Sequence, residues 1–207
     1  MLEIILIRHG QTDWNKERRV MGARPVHLNA LGKKQATELG RVLEAISLDA
    51  VYASPLLRTL QTARLLVRGR SFKIELAAAV QEIDYGQWVG KTFDEVRGDR
   101  SFQVYHKTPS KAQAPQGEKM TDVFKRAIQF IEGLRKKFKS GRVVVVSHAD
   151  VIRLILVHYL ELGIDDLLRL RIDNGSLSLL GFEGDRARVL AVNCPPTLPW
   201  LFEDLRS

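Results

Sequence analysis

Five side chains that could do chemistry together stand at comparable places in the chain: Arg8, His9, Arg58, Glu82 and His148 each follow shortly after a stretch that reads as a β-strand. A neutral imidazole nitrogen is a competent nucleophile near neutral pH, because histidine titrates at ~6.5. Guanidinium forks pair bidentately with phosphate oxygens and keep their charge, so Arg8 and Arg58 could hold a dianion in line with His9. His148 would add a donor if protonated beside the phosphate, and Asn15 and Thr12 would supply neutral donors. Glu82 could protonate a departing alkoxide and then deprotonate the water that hydrolyses phosphohistidine, assistance typically worth ~10²–10⁴-fold. The set suits phosphoryl transfer to histidine, in which positioning and charge neutralisation supply the rest of the acceleration. A glutamate of ordinary pKa, ~4.3, is ionised at pH 7. The acid role therefore requires burial or a bound dianion to raise it, and an optimum on the acidic side follows. Asp84 and Glu118 lie in the same region and either could be the donor instead.

The elements that must position these groups alternate in type. Residues 2–7 and 143–147 are short, β-branched, nearly continuous apolar runs, as strands buried on both faces read. Residues 49–53 and 73–76 are weaker strands. Asn29 can cap a helix through Ile46 with an apolar stripe of Leu31, Leu39, Val42, Leu43 and Ile46. Ser54-Pro55 reads as an N-cap followed by proline at the first helical position, opening a helix through Val67. Thr92 and Glu95 have capping-box spacing. Met120, Phe124, Ala127, Ile131, Leu134 and Phe138 share one face of a long helix, and another apolar helix follows His148. Residues 176–183 and 186–193 flank Gly184-Asp185 as a β-hairpin. Residues 103–117, with Pro109, Pro115 and Gly117, read as a polar loop over the sheet edge. The order implies an α/β three-layer sandwich, a mostly parallel central sheet with helices on both faces. It would form a single domain over 1–207, with a small helical or loop cap around 83–118. In such sheets ligands bind beyond the carboxyl ends of the strands, where the chemistry-bearing residues would converge.

Composition narrows the function classes. The 45% hydrophobic and 27% charged fractions are those of a globular protein, and 207 residues can bury a core without staples. The single cysteine, Cys194, cannot form an internal disulfide and fits a reducing compartment, so a cytoplasmic location is the default expectation. No apolar run is long enough to span a bilayer, which argues against a membrane role. The net charge of +8 could favour anionic partners. The basic residues are scattered, however, and Arg135-Lys136-Lys137 with Lys139 ends a helix, where cations complement the macrodipole. Nucleic acid is not the expected partner; a small phosphorylated metabolite is. The long helix offers an exposed face on which subunits could pair as a homodimer, although no residue pattern demands it.

The chain resembles the histidine phosphatase superfamily, the phosphoglycerate mutase-like family. Arg8-His9-Gly10-Gln11-Thr12 matches its Arg-His-Gly-(Glu or Gln)-Thr motif, continued by Trp14-Asn15. Further matches are Ser54-Pro55-Leu56 with Arg58, Gln61-Thr62-Ala63, Glu82 with Gly86, Trp88 and Gly90, and 144–148 with Val151-Ile152-Arg153. These ordered blocks span residues 2–158. The resemblance implies that His9 is phosphorylated, that Arg8, Arg58 and His148 form the phosphate pocket with Asn15, and that Glu82 is the proton donor. It implies no metal and no cofactor.

Two departures bear on the site. Relatives often carry glycine where this chain has Ala149, which matters only if the backbone there needs positive φ. Relatives often read Gln-Gly and then an acidic residue before proline where this chain has Met21-Gly22 and Arg24-Pro25, at the substrate mouth, where Gly22 is expected to contact substrate. The short stretch between Glu82 and Gly117 gives less cover than a mutase needs, which favours hydrolysis. Sugar phosphates, phosphoglycerate derivatives and α-ribazole phosphate are the implied substrates. The alternatives are mutase-type phosphoryl transfer and a non-catalytic binding module, which would usually have lost one of the residues retained here. Trp14, Trp88 and Trp200 read as packing residues, and His27, His106 and His158 as surface or core. Arg153 reads as one half of a structural ion pair.

Overall fold

The computed structural model describes residues 1–196. Six strands form one sheet: β1 (Leu2–Arg8), β2 (Ala50–Ala53), β3 (Ile74–Leu76), β4 (Gly141–Ser147), β5 (Leu177–Glu183) and β6 (Arg186–Cys194), in the order β3-β2-β4-β1-β5-β6. β1, β2, β3 and β4 pair in parallel, while the hairpin β5-β6 adds antiparallel to β1. Seven α-helices surround it among the described residues: α1 (Asp13–Lys16), α2 (Ala30–Glu44), α3 (Leu57–Leu66), α4 (Phe93–Val96), α5 (Arg100–Lys107), α6 (Met120–Lys137) and α7 (Ala149–Tyr159).

The period-2 alternation of the strands divides the core in two. Ile4, Leu6, Val143 and Val145 face the side covered by α6 and α7, where Met120, Ala127, Ile131 and Ile155 pack. Ile5, Ile7, Val144 and Val146 face the other side, against Leu39 and Leu43 of α2 and Ala63 and Leu66 of α3. Continuous apolar runs in β1 and β4 are the consequence, since both faces of these central strands are covered. The α/β sandwich with a mostly parallel sheet is the observed architecture.

Several local expectations are met by the caps themselves. Asn29 accepts from Gly32 N–H at 2.9 Å and starts α2, and Thr92 and Glu95 form the capping box of α4. Four expectations are corrected or lie outside view. Leu31 is 47% exposed and falls off the apolar stripe of α2. Ser54 does not cap a helix: α3 begins at Leu57 after an extended Leu56, and Ser54 turns its hydroxyl to His148 instead. The 103–117 segment is not all loop. Asp99 accepts from Ser101 N–H at 2.7 Å and opens α5, whose Phe102 and Tyr105 share a buried face; irregular chain begins only after Lys107. Apolar spacing outweighed the prolines and glycine farther along. Trp200 lies outside the described residues.

Parallel pairing decides where the site is. The register sets Arg8 of β1 against Ser147 of β4 and Ala53 of β2 against Val146 of β4. The residues that follow, His9, Ser54 and His148, therefore emerge side by side at one sheet edge. His9 N–H donates to the Ser147 carbonyl at 3.0 Å, extending the ladder one residue beyond β1. Behind this edge, α2 docks on the turn after β1 by close glycine contact and by the hydrogen bond from Gln11 N–H to Gln35 Oε1 at 2.9 Å. A Cβ on Gly32 would collide with the Gln11 backbone, and one on Gly10 with the Gly32 backbone. Gly32→Ala should therefore lower stability by about 1–3 kcal/mol through overpacking, read as a lower urea midpoint. An unchanged midpoint would show that the turn can yield.

Candidate active site

His9, Arg58 and His148 form a buried cluster at the sheet edge, with 1%, 0% and 0% of their surfaces exposed. Arg58, in the first turn of α3, donates through Nε to His9 Nε2 at 3.3 Å and through Nη2 to His148 Nδ1 at 3.2 Å. A guanidinium can only donate, so these contacts fix both ring tautomers. His9 carries its proton on Nδ1, which donates to the Gly10 carbonyl at 2.8 Å, and presents an Nε2 lone pair. His148 carries its proton on Nε2, which donates to Ser54 Oγ at 2.8 Å. Burial, followed by the charges of Arg58 and neighbours, holds both imidazoles well below the usual histidine range. Both rings are thus neutral around pH 7. For His9 that is the nucleophilic form; His148, foreseen as a protonated donor, must gain a proton before it can play that part.

The arginines are placed for an anion. Burial lowers Arg58 to about 10, which leaves it charged at neutral pH. Its Nη2 donates to the Gly22 carbonyl at 2.9 Å and its Nη1 to that of Arg24 at 3.3 Å. Gly22 sits at φ +49°, and a Cβ there would press on Val89. The backbone carbonyls of Gly22 and Arg24 at the mouth thus hold the Arg58 fork. Arg8 donates through Nη1 to the Ile172 carbonyl at 2.6 Å, while its Nε is buried without a hydrogen-bond partner among the described residues. A buried unsatisfied donor is costly, and an oxyanion in the adjoining cavity would satisfy it. Thr62 ties this floor together, accepting from Gly10 N–H at 3.1 Å and donating to the Arg58 carbonyl at 2.8 Å.

A cavity of about 340 Å³ is lined in part by Arg8, Asn15, Gly22 and Glu82, while His9, Arg58 and His148 are not among its lining residues. Asn15 Oδ1 accepts from Thr12 N–H and Oγ1–H at 3.0 Å and from Asn174 Nδ2 at 3.2 Å, so Nδ2 is the donor it offers the cavity. Thr12, expected to donate to phosphate itself, is fully buried as the N-cap of α1; it positions Asn15 instead. Asn174 was not foreseen, and nothing in its local sequence marks it. Ala149 begins α7 and is not among the residues of positive φ, so its side chain brings no backbone strain.

Of the three carboxylates weighed as acid, Glu82 is the one that lines the cavity. Its Oε2 lies 3.8 Å from His148 Nδ1, and Oε1 accepts from Ile83 N–H at 3.2 Å. Burial and the nearby Asp150 charge raise Glu82 to about 7, against the opposing pull of Arg58 and Arg8. Asp84 is exposed and accepts from Gly86 N–H, and Glu118 pairs with Arg126 at 2.9 Å. Asp150 is the residue that the sequence reading missed. It is 3% exposed, pairs with Arg153 at 2.8 Å, and accepts from Tyr105 Oη at 2.5 Å and from Tyr85 Oη. Burial pushes its carboxyl up, but Arg153 and the tyrosine hydroxyls outweigh that and hold it below the ordinary range. A permanent anion beside Glu82 is one reason that Glu82 keeps its proton. The Arg153 ion pair was legible in the motif; its partner was not. Trp88, foreseen as packing, is 2% exposed and also lines the cavity, as does His106.

The fold and this edge define an α/β enzyme of the phosphatase class, with two buried histidines beside a buried arginine. The profile of the histidine phosphatase superfamily, branch 1, matches residues 4–195, and the chain belongs to that family. It is 32% identical over 195 residues to Phosphoserine phosphatase 1 of Hydrogenobacter thermophilus, covering 93% of this chain and 92% of that one. Among solved structures it is similar to Bacillus stearothermophilus YhfR, with TM-score 0.89 and 29% identity over 94% of this chain and 98% of that one. A phosphoserine phosphatase mutant from Entamoeba histolytica, solved in complex with phosphoserine, superposes with TM-score 0.85 at 26% identity, covering 93% and 97% of the two chains. Among the described residues no helix is long and apolar enough to cross a membrane.

The tautomer assignment has a direct check. In ¹⁵N-resolved NMR of the ligand-free protein, His9 should appear as the Nδ1–H form and His148 as the Nε2–H form, with neither titrating between pH 7.5 and 6. A titration midpoint of either ring near ~6.5 would contradict the arrangement.

Proposed function

We propose that this chain is a phosphomonoesterase that hydrolyses small phosphate monoesters in the cytoplasm through a phosphohistidine formed on His9. The observation that carries the reading is the buried, neutral His9, whose Nε2 lone pair is held by the Arg58 guanidinium at 3.3 Å. In the first step His9 Nε2 attacks phosphorus as the ester P–O bond breaks, and Glu82 gives its proton to the departing alkoxide oxygen. In the second step the Glu82 carboxylate takes a proton from water, the water oxygen attacks phosphorus, and the P–N bond breaks to free His9 and inorganic phosphate. Arg8, Arg58 and Asn15 hold the phosphoryl oxygens throughout. His148, 3.8 Å from Glu82, becomes a further donor when the dianion draws a proton onto it. The similarity to proteins named as phosphoserine phosphatases supports a small phosphorylated substrate. No residue in the steps above requires a metal.

Two outcomes are expected. With p-nitrophenyl phosphate in excess EDTA the wild type turns over and a folded His9→Ala is inactive; an active His9→Ala would overturn the mechanism. For an alkyl phosphate, whose leaving group needs a proton, the rate should fall as pH rises through about 7, where Glu82 loses its proton. On the acid side it should hold, because His9 stays neutral well below the usual histidine range. Glu82→Gln should cost ~10²–10⁴-fold and remove the alkaline fall. A flat wild-type profile from pH 5 to 9 would exclude Glu82 as the acid.

A further inference from the structure

The cavity lining beyond Arg8, Asn15, Gly22 and Glu82 differs in character from those residues. The walls there are mainly Tyr85, Trp88, Phe93, Phe102, Tyr105 and Leu168. Rings with polar tips could still bind a polar substrate, but in this chain the tips are already engaged. Tyr85 and Tyr105 both donate their hydroxyls to Asp150, and Trp88 Nε1 donates to Asp99 at 3.1 Å. What these residues offer the cavity is ring surface. The rings also brace one another: Phe102 stacks on Tyr105 at 6.2 Å between centroids and meets Trp88 edge-on at 5.4 Å, while Tyr85 stacks on Trp88 at 6.4 Å. Apolar walls with a few fixed polar groups at one end are how a small-molecule site sets orientation.

The remaining cavity-lining arginines are already engaged. Arg153 pairs with Asp150 at 2.8 Å and donates through Nε to the Leu170 carbonyl at 2.8 Å. Arg19 donates to the Gly90 carbonyl at 2.5 Å and to Glu17 at 3.1 Å. A carboxylate on the leaving group would lose its hydration to meet rings, a guanidinium already shared, and the ionised Asp150, an arrangement that penalises it.

We propose that the leaving group taken by this site is an uncharged apolar alcohol, flat or aromatic and of one or two rings, in preference to an amino or carboxylate alcohol of the phosphoserine or phosphoglycerate type. Phe102, Tyr105 and Trp88 select it, and Asp150 makes the selection possible by occupying the tyrosine hydroxyls and the Arg153 guanidinium. The inference rests on the phosphatase reading for its chemistry, but the preference itself is a property of binding.

The test compares kcat/KM for 2-phenylethyl phosphate, glycerol 3-phosphate and phosphoserine, all esters of poor alkyl leaving groups, so intrinsic reactivity does not decide the ratio. The phenylethyl ester should exceed phosphoserine by about tenfold or more, within the range that an apolar pocket contact supplies. Phe102→Ala should raise KM for the phenylethyl ester by about tenfold and so lower the ratio of its kcat/KM to that of glycerol 3-phosphate. Equal or better turnover of phosphoserine, or a Phe102→Ala variant whose ratio is unchanged, would overturn the proposal. Calorimetry of the same esters on His9→Ala reads the preference without turnover. Tighter binding of the phenylethyl ester supports the proposal and tighter or equal binding of phosphoserine ends it. If the wild type hydrolyses none of the esters, the phosphatase reading fails, while the calorimetry still decides the leaving-group preference.

Discussion

The Arg58 guanidinium has no exposed surface, yet it carries a charge and touches both histidines of the site. A cation in such a place is costly unless its donors are all met. Here His9, His148 and the carbonyls of Gly22 and Arg24 take four of its five N–H donors, which leaves one on Nη1 for an anion. Much of the surrounding structure follows from that requirement. The segment after Val20 must curl inward to bring two carbonyls to the fork, which is why Gly22 adopts a positive φ. The two imidazoles must be neutral and must each present a lone pair to Arg58, which fixes where their remaining protons go. Gly10 and Ser54 are the receptors of those protons, and Thr62 links the turn after β1 to α3.

The acid side is built on the opposite principle. Arg58 is charged because most of its donors are met; Glu82 holds a proton because it is buried near a better-satisfied carboxylate. Asp150 takes hydrogen bonds from two tyrosines and an ion pair from Arg153, and so it ionises first. Two carboxylates in one buried region, with environments that push them apart, divide into a fixed anion and a proton carrier. The same Asp150 contacts occupy the tyrosine hydroxyls, so the electrostatics of the acid and the apolar character of the cavity wall have a common origin.

The segment that follows Glu82 joins the two. Its helix α5 supplies Phe102 and Tyr105 to the wall, and Tyr105 reaches Asp150 at the start of α7. Helix α5 is therefore tied to α7 through the same carboxylate that raises the Glu82 pKa.

What the sequence determined by itself was the framework and the candidates for the reacting groups. The runs in β1 and β4 state that these strands are covered on both faces, the spacing along α6 gives its buried side, and Asn29 and Thr92 mark helix starts, because all of these depend on neighbours a few residues away. The ordered motifs likewise named His9, Arg8, Arg58, Glu82 and His148. Only the tertiary structure decided which protons those groups hold and what surrounds them. Ser54 looks like a helix cap locally, but it is claimed by a histidine 94 residues later in the chain. Thr12 looks like a phosphate donor but caps α1, and α5 is hidden because its stability comes from rings it buries against Trp88 rather than from its own composition. Asp150 could not be read at all: its role exists only where Tyr85, Tyr105 and Arg153 meet. Long-range partners set burial and charge, and these set the protonation on which the chemistry rests.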